Sequence, residues 1–342
     1  MKKQLYFLFV ILFSTAVFTL EYGCDKKQDA PKTVTVYVSE DQVFSEPILK
    51  DFEKETGIAV RAVYDTEEAK STGTMNRLIA EKNNPQADVY WANEPIRAEL
   101  LKQKGISAPY FSSEANKIPA VFKDPEGHWT GFSARARVLV VNSSVINTPQ
   151  SISDLAAPRW KGKAVIANPL FGTTTSHVAA LFTIWGDKQA KAFMNRMKEN
   201  NVRLSTSNGE SSDFVAAGTA DFSLVDSDDA FNRIRQGKAV TMIYPDQGEE
   251  GLGCFIVPNV AILIKGAPHP GPAIRLIDYL LSNETERKLA FADCAQIPLH
   301  AGVEIPAELK PLSEIKTMSV NYAEVAKKMV EIQPYLKAWM DF

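Results

Sequence analysis

The sequence has few cysteines, few histidines and no excess of basic residues. Among 342 residues there are 3 cysteines and 4 histidines, and 38 basic residues stand against 41 acidic ones. This nearly neutral balance argues against a nucleic-acid-binding protein, which requires a basic face. After residue 20, no stretch approaches the ~18 consecutive apolar residues of a membrane-spanning helix.

Motifs that would indicate an enzyme are also missing. The sequence contains no H-E-x-x-H, C-x-x-C or G-x-S-x-G motif and no phosphate loop of the G-K-[ST] type. His269 and His300 are expected to be solvated loop residues, and His177, in the first turn of a predicted helix, is expected to pack or to cap. We therefore predict no catalytic residue and no cofactor. An exported hydrolase and a surface lipoprotein or adhesin are the alternatives of another class.

Residues 1–23 have the features of a secretory signal. Two lysines precede the apolar run 5–20, and Gly23 is a small residue before a cleavage point at Cys24. The boundary resembles a bacterial lipoprotein cleavage site, so Cys24 is predicted to carry a lipid and 24–32 to form a flexible tether. Ordinary secretion and an uncleaved anchor are the alternatives. Either way the protein is expected to be exported, to the periplasm or the cell surface.

The chain that follows the predicted signal is mildly acidic and long. Removal of the signal takes away two lysines and one glutamate, which leaves 36 basic and 40 acidic residues. Single hydrophobic cores stop growing near ~250–300 residues, so the length from Cys24 to Phe342 predicts two lobes. Cys254 and Cys294 can form one disulfide or stay as two buried thiols, and the sequence leaves both possibilities open.

The order of the predicted elements indicates an α/β fold. Between residues 33 and 103, three strands alternate with three helices, which is the mark of a parallel sheet with helices on its faces. A second α/β unit follows over 163–264, with separate helices at 173–185 and 187–200. The C-terminal apolar series has a helical spacing that is interrupted at Pro334.

Two long apolar strands, 137–142 and 256–264, lie far apart in the sequence. In a two-lobed α/β protein they would be the strands that cross the hinge. The lobes predicted on this basis are 33–130 plus about 253–300 for the first, and 131–252 plus about 301–342 for the second.

The stretch 131–142, G-F-S-A-R-A-R-V-L-V-V-N, begins polar and ends as a strand buried on both sides. Because the side chains of an extended chain alternate between two faces, Ser133, Arg135 and Arg137 are predicted to share one face. Surface salt bridges would explain Arg137. An anion site is the second explanation, since the fork of an arginine binds oxygens in bidentate fashion.

Polar side chains follow the predicted strands at several points along the chain. Ligands bind at the carboxyl ends of strands in open α/β sheets, and the start of a helix offers free amides to an anion. Helix capping is the alternative explanation for Asn93 and Asp229. The candidate solute-binding residues are Glu40, Asp41, Thr66, Asn93, Glu94, Ser133, Ala134, Arg135, Thr173, Thr174, Thr175, Asn208, Asp226, Asp228 and Asp229.

Six segments carry a resemblance to a known family. They are V-Y-V-S-E-D at 36–41, F-E-K-E-T-G-I at 52–58, N-P-Q-A-D-V-Y-W at 84–91, the stretch 131–142, D-L-A-A-P-R-W-K-G-K at 154–163 and K-G-A-P-H-P at 265–270. With these segments the chain resembles the extracellular solute-binding proteins of bacterial ABC importers, specifically their ferric-ion-binding branch. The resemblance implies a two-lobed periplasmic-binding-protein fold of type II, which closes on a solute and delivers it to a membrane permease.

The resemblance also implies where a solute is held. Ferric-binding relatives hold iron with two neighbouring tyrosines after a second-lobe strand, and many add a histidine or an acid after the first strand. A small anion sits at the position of 133–135. Here Asp228 and Asp229 stand in the place of the tyrosines, and Glu40 and Asp41 stand after the first strand.

Two kinds of solute are consistent with these carboxylates. A small organic or phosphorylated solute would place hydroxyls or an amine on Asp228 and Asp229, and an oxyanion on Ser133, Arg135 and 173–175. Alternatively, Asp228 and Asp229 would ligate a ferric or other metal ion, because carboxylates are hard oxygen donors. We favour the first. The expected partners are an ABC permease of the inner membrane, the solute and the lipid anchor, with no nucleic acid, and the protein is expected to be a monomer.

Changing Cys24→Ser tests the predicted anchor. If Cys24 is acylated, the variant is released into the soluble exported fraction, whereas the wild type stays with the membrane. Cell fractionation followed by immunoblotting measures the distribution. A variant that stays in the membrane with unchanged mobility would show that another feature anchors the protein.

Overall fold

The structure, a computed structural model, describes residues 32–65 and 71–340. The strands are β1 Thr33–Val38, β2 Ala59–Tyr64, β3 Val89–Ala92, β4 Ser107–Ala108, β5 Thr130–Asn142, β6 Ala164–Ala167, β7 Arg203–Ser205, β8 Phe222–Asp226, β9 Val240–Ile243 and β10 Ile256–Ile264. The α-helices are α1 Gln42–Thr56, α2 Thr72–Ala80, α3 Pro95–Gln103, α4 Gly172–Glu199, α5 Asn208–Ala216, α6 Ser227–Arg235, α7 Pro270–Leu280, α8 Asn283–Phe291 and α9 Tyr322–Met340. Short 3-10 helices cover Ser113–Lys117, Ala120–Phe122, Ile152–Ala156, Pro158–Trp160 and Leu312–Glu314.

The strands follow the order β2-β1-β3-β10-β5-β8-β6-β7. β1 pairs in parallel with β2 and β3, and β6 pairs in parallel with β7 and β8. Between these two parallel groups lie β10 and β5, which are antiparallel to each other and to their outer neighbours. The first half of β5 pairs with β10, and its second half pairs with β8 and β9. The predicted α/β class with two crossing strands is confirmed.

The helices largely follow the predicted order, with two differences. The helices predicted at 173–185 and 187–200 form the single element α4, which bends at Gly186, where φ is +74°. The C-terminal helix α9 continues through Pro334 rather than stopping there. Its buried face from Val325 to Trp339 keeps packing against α3 and α4, which compensates for the missing hydrogen bond. Among the described helices, none combines the length and apolarity that crossing a membrane requires.

The regular alternation of β5 is broken at Ser133. Its φ is +37°, and the register between β5 and β10 shifts at this point, between Pro258 and Asn259. Side chains bind both backbone groups of Ser133: its N–H donates to Glu286 Oε1 at 2.8 Å, and its carbonyl accepts from Asn259 Nδ2 at 2.6 Å. Because Ser133 is the extra residue of a bulge, the expectation that it shares a face with Arg135 by simple alternation is wrong.

His300 is not a solvated loop residue, contrary to the prediction. It is buried, with Nδ1 lying 2.8 Å from Glu286 Oε2 and Nε2 lying 2.8 Å from the carbonyl oxygen of Glu114. Both ring nitrogens thus face acceptors, an arrangement that favours the doubly protonated ring. Burial lowers the pKa of His300, but the bonds to Glu286 and Glu114 outweigh it and raise the pKa above its usual value. His269 is likewise paired, with its Nδ1 lying 2.9 Å from Asp88 Oδ2.

His177 is a packing residue, as its position in the first turn of α4 predicts. Its ring stacks on Phe255 with a centroid separation of 5.4 Å, and burial lowers its pKa to about 3. Cys254 and Cys294 are both buried free thiols, so of the two possibilities left open by the sequence the structure has the unpaired one.

Arg137 holds β5 to β8 from inside the protein. Its Nη1 donates to Asp226 Oδ1 at 3.0 Å and to Thr173 Oγ1 at 3.2 Å, and its Nη2 donates to the carbonyl of Leu224 at 3.0 Å. The side chain has no exposed surface. Of the two explanations that the sequence offered for Arg137, a salt bridge is present but is buried instead of lying on the surface, and Arg137 does not line the cavity described below. Burial alone raises the pKa of Asp226, but Arg137, Arg135 and the hydroxyl of Thr173 lower it below its ordinary value.

Replacing Arg137→Leu is expected to lower the free energy of unfolding by about 3–5 kcal/mol, because Asp226 then stays buried without its main counter-charge. The lowered pKa of Asp226 means that this stabilisation is present above the unfolded pKa of about 3.9 and is lost as the pH falls through the folded pKa. Urea unfolding at several pH values measures both effects.

The matched control is Arg287→Leu, which removes an arginine from an exposed ion pair with Glu284. Its effect is expected to stay within about 1 kcal/mol. A loss for Arg137→Leu no larger than that of the control, or one that does not shrink in acid, would contradict the assigned role of the buried pair.

Candidate functional site

A polar cavity of about 270 Å³ lies where the carboxyl ends of strands from both parallel groups meet. Residues at or shortly after the ends of β1, β3, β6, β7 and β8 contribute to its wall, as expected for an open α/β sheet. The residues that line it are Asp41, Asn93, Arg135, Ala167, Asn168, Phe171, Gly172, Thr173, Thr174, Thr206, Ser207, Asn208, Gly209, Asp226, Asp228, Asp229 and Arg233.

Three helices begin at this cavity. α4 begins at Gly172, α5 at Asn208 and α6 at Ser227, and residues of the first turn of each line the wall. The first amides of a helix have no partner within the helix, and the helix dipole places partial positive charge there. This part of the wall can therefore bind an oxyanion.

The same wall carries a group of aspartates. Carboxylate oxygens of Asp226, Asp228 and Asp229 all lie within 4.8 Å of one another. Asp226 is committed to internal bonds, because it accepts from Arg137, from Thr173 Oγ1 at 2.6 Å and from Asn208 Nδ2 at 3.1 Å. Asp228 and Asp229 also line the cavity, each 3.9 Å from an arginine nitrogen, of Arg135 and Arg233 respectively.

Arg135 connects the two parallel groups of strands. Its Nη1 lies 3.9 Å from Glu40 Oε2, 4.0 Å from Asp226 Oδ2 and 3.9 Å from Asp228 Oδ2. Its Nη2 donates to the backbone carbonyl of Asn93. Although burial lowers the pKa of Arg135, the surrounding carboxylates raise it above its usual value, so the group is a buried cation.

The structure brings most of the candidate residues together. Those that line the cavity are Asp41, Asn93, Arg135, Thr173, Thr174, Asn208, Asp226, Asp228 and Asp229. Glu40 lies behind this wall and reaches it through Arg135. Glu94, Ser133, Ala134 and Thr175 are buried but do not line the cavity. Thr66 and Cys24 lie outside the described residues.

Glu94 caps helix α3 and does not line the cavity. Its carboxylate accepts from the backbone N–H groups of Ile96 and Arg97 at 3.0 and 2.9 Å, and from Ser176 Oγ at 3.0 Å. The helix cap of α3 is therefore Glu94, and Asn93 is not the cap that the sequence suggested as an alternative. Similarly, Asp226 holds the N-cap position of α6, while Asp229 lies within its first turn.

Several wall residues were not identified from the sequence. Asn168 follows β6, and Thr206 and Ser207 follow β7, so the strand-end rule that selected Asp226 would also have found them. Arg233 lies one helical turn beyond Asp229, and its Nη1 is 3.9 Å from Asp229 Oδ1. The spacing of four residues between opposite charges was the available signal.

Comparison with known proteins identifies relatives over most of the chain. Residues 85–327 match the family described as bacterial extracellular solute-binding proteins. The iron uptake protein A1 of Synechocystis sp. is 27% identical over 319 residues, which covers 86% of each chain.

Solved structures share the fold. Iron-bound HitA from Pseudomonas aeruginosa has a TM-score of 0.80 at 22% identity and covers 90% of this chain and 99% of that one. The periplasmic binding protein AfuA from Actinobacillus pleuropneumoniae, with exogenous fructose-6-phosphate bound, has a TM-score of 0.77 at 21% identity and covers 91% and 98%. The resemblance drawn from the sequence is confirmed, and the chain belongs to the bacterial extracellular solute-binding proteins, in their ferric-binding-protein-like branch.

Proposed function

We propose that the protein is the solute-binding component of an ABC importer and captures a small phosphorylated or phosphonate solute that also carries hydroxyl or amine groups. The observation that supports this solute is the mixed wall of the cavity. Arg135 and the starts of α4 and α5 suit an oxyanion, while Asp41, Asp228 and Asp229 suit hydroxyls or an amine.

The size of the cavity supports an organic solute as well. Its volume of about 270 Å³ is far larger than a single ion needs and lies just below the usual range for small-molecule sites, ~300–1,000 Å³. The AfuA structure, which has fructose-6-phosphate bound, shows that a chain of this fold takes a solute of this kind.

A metal ion is the second candidate. The aspartates 226, 228 and 229 could hold one, because their oxygens lie within 4.8 Å of one another and carboxylates are hard donors. The iron uptake protein A1 and iron-bound HitA are relatives whose names give iron as their ligand. With Asp226 occupied by Arg137, Thr173 and Asn208, the ligands from this group would be Asp228 and Asp229.

We further propose how the parts of the chain serve this task. The first lobe consists of 33–130 plus about 253–300 and the second of 131–252 plus about 301–342, so β5 and β10 form the hinge. The protein works as an exported monomer that is tethered through acylated Cys24 and hands its solute to an ABC permease in the inner membrane.

A thermal-shift screen tests the proposed solute class. The panel contains sugar phosphates, aminoalkylphosphonates, ferric citrate and divalent metal ions. A true solute at about 100 times its dissociation constant should raise the free energy of unfolding by about 2.7 kcal/mol. Stabilisation by a phosphate ester or phosphonate supports the first candidate. Stabilisation by metals alone, reversed by a chelator, would overturn it in favour of the second.

The aspartates are tested by the double variant Asp228→Asn with Asp229→Asn. We expect it to abolish binding of the solute found in the screen, because either candidate solute needs these carboxylates. The stability of the empty protein should change by less than about 1 kcal/mol, since relief of repulsion offsets the loss of attraction to Arg135 and Arg233. Isothermal titration calorimetry and urea unfolding measure the two quantities.

A matched control removes two adjacent carboxylates from an exposed loop, in the variant Glu249→Gln with Glu250→Gln. It keeps the same net charge as the test variant and should bind normally. Arg135→Ala complements the pair at the oxyanion end and should weaken binding by about 1.5–3 kcal/mol. Undiminished affinity in the double variant would mean that Asp228 and Asp229 serve only the start of α6.

A further inference from the structure

A chain of buried side-chain hydrogen bonds runs from the hinge strands to the edge of the solute site. The indole N–H of Trp91 donates to Asn259 Oδ1 at 3.1 Å, and Asn259 Nδ2 donates to Gln296 Oε1 at 2.7 Å. Gln296 Nε2 then donates to Glu40 Oε1 at 3.0 Å. All four side chains are at most 3% exposed. We call Trp91, Asn259, Gln296 and Glu40 the relay.

The relay can run in one direction only. An indole nitrogen is a donor and never an acceptor, so the atom of Asn259 that faces Trp91 must be its oxygen. The amide nitrogen of Asn259 therefore faces Gln296, and it also donates to the carbonyl of Ser133 at 2.6 Å. Gln296 must then accept from Asn259 with its oxygen, which leaves its NH₂ group to face Glu40. Glu40 Oε1 consequently meets a donor, and a hydrogen bond of this kind favours the ionised form of a carboxylate over the protonated one.

The composition of β10 sets Asn259 apart from its neighbours in the strand. Asn259 is the one polar residue in the strand I-V-P-N-V-A-I-L-I, and it is fully buried. A buried amide is costly unless its groups are bonded, and here the oxygen and the nitrogen both have partners. Asn259 lies beside Ser133, at the register shift between β10 and β5. The relay therefore passes through the pair of strands that form the proposed hinge.

Glu40 connects the relay to the solute site. Its second oxygen, Oε2, lies 3.9 Å from Arg135 Nη1. Arg135 lines the cavity, whereas Asn259 and Gln296 do not. The side-chain contacts that connect these two amides to the cavity therefore run through Glu40 and Arg135.

We propose that Asn259 and Gln296 are positioning residues of the solute site, which hold Glu40 as a carboxylate against Arg135 and so set the charge that Arg135 presents to a solute. This inference rests on the proposed function, since it takes Arg135 to face an oxyanion of the solute. It adds that the specificity of the site depends on two buried amides that do not line the cavity, those of Asn259 in β10 and Gln296 after α8.

The charged and titratable groups around Glu40 decide what a change in the relay does. Arg135 faces it from β5, and Asp41 follows it directly in the chain. Asp226 of β8 and Asp228 of α6 lie on the same guanidinium as Glu40, 4.0 and 3.9 Å from Arg135 Nη1, and the thiol of Cys294 after α8 is close enough for the charge of Glu40 to raise its pKa. Arg135 is surrounded by four carboxylates, and of these Asp226 is also paired with Arg137. The carboxylates outnumber the two cations, so a further carboxyl group placed beside Glu40 is expected to have a raised pKa.

The variant Gln296→Glu tests the relay. It keeps the oxygen that accepts from Asn259 but replaces the donor that faces Glu40 with a second carboxylate. The two carboxyl groups then share a proton, and their folded pKa is raised above the unfolded value. Stability should therefore fall as the pH rises from about 5 to 8, when the shared proton is lost, and the wild type should change less.

The same variant has a predicted effect on binding. Inorganic sulfate is the probe, because it stays a dianion over this pH range. The affinity of Gln296→Glu for sulfate should fall by about tenfold or more between pH 5 and 8, since the newly ionised carboxylate counteracts Arg135. Urea unfolding and titration calorimetry at matched pH values measure the two effects. Gln236→Glu, at an exposed helix end, is the control and should behave as the wild type.

Exchanging the two groups provides the rescue. The double variant Glu40→Gln with Gln296→Glu again places one donor opposite one carboxylate, with the order reversed. It should lose the added pH dependence of both stability and sulfate affinity. Folding of this exchange variant when Gln296→Glu alone does not fold would also support the relay.

Three outcomes are decisive in the other direction. An unfolding curve of Gln296→Glu with no added pH dependence would overturn the relay. Added pH dependence of stability with sulfate affinity that follows the wild type would overturn the positioning role and leave a structural one. A wild type that does not bind sulfate would overturn the anion end of the proposed function, and the unfolding curves would then decide the relay by themselves.

Discussion

The buried strand β5 carries two guanidinium groups, those of Arg135 and Arg137, and both must be neutralised inside the protein. Most of the polar groups in the centre of the protein lie around these two side chains. Arg137 is met by Asp226, by hydroxyls at the start of α4 and by a backbone carbonyl. Arg135, two residues earlier, is met by carboxylates that follow β1 and β8. Arg137 thus forms an internal ion pair, whereas the carboxylates around Arg135 lie at or directly behind the wall of the cavity.

This division explains why one wall carries both acids and helix starts. Helices that follow parallel strands direct their first amides to the edge of the sheet where the polar residues lie. Asp226 neutralises Arg137 from that edge, and Asp228 and Asp229 come with it because they open the same helix. The wall therefore offers acceptors and donors side by side, which suits a solute with two kinds of polar group.

The sequence alone predicts those features that depend on periodicity and on strand ends. It yields the α/β class, the two crossing strands, and cavity residues such as Asp41, Asn208 and Asp228. It fails where a tertiary partner decides the outcome. The bulge at Ser133 depends on Glu286 and Asn259, which lie 153 and 126 residues away. The burial of His300 likewise depends on Glu114, 186 residues earlier. No local pattern carries that information.

The two buried thiols bear on how the chain matures after export. Burial raises the pKa of both Cys254 and Cys294 above the usual range, so neither is readily available as a thiolate. The fold is complete without a covalent bond between them. Consequently the fold of residues 32–65 and 71–340 does not depend on a disulfide between these two cysteines, and it should form equally well in a reducing compartment. The same low reactivity protects the finished protein from mixed disulfides in an oxidising one.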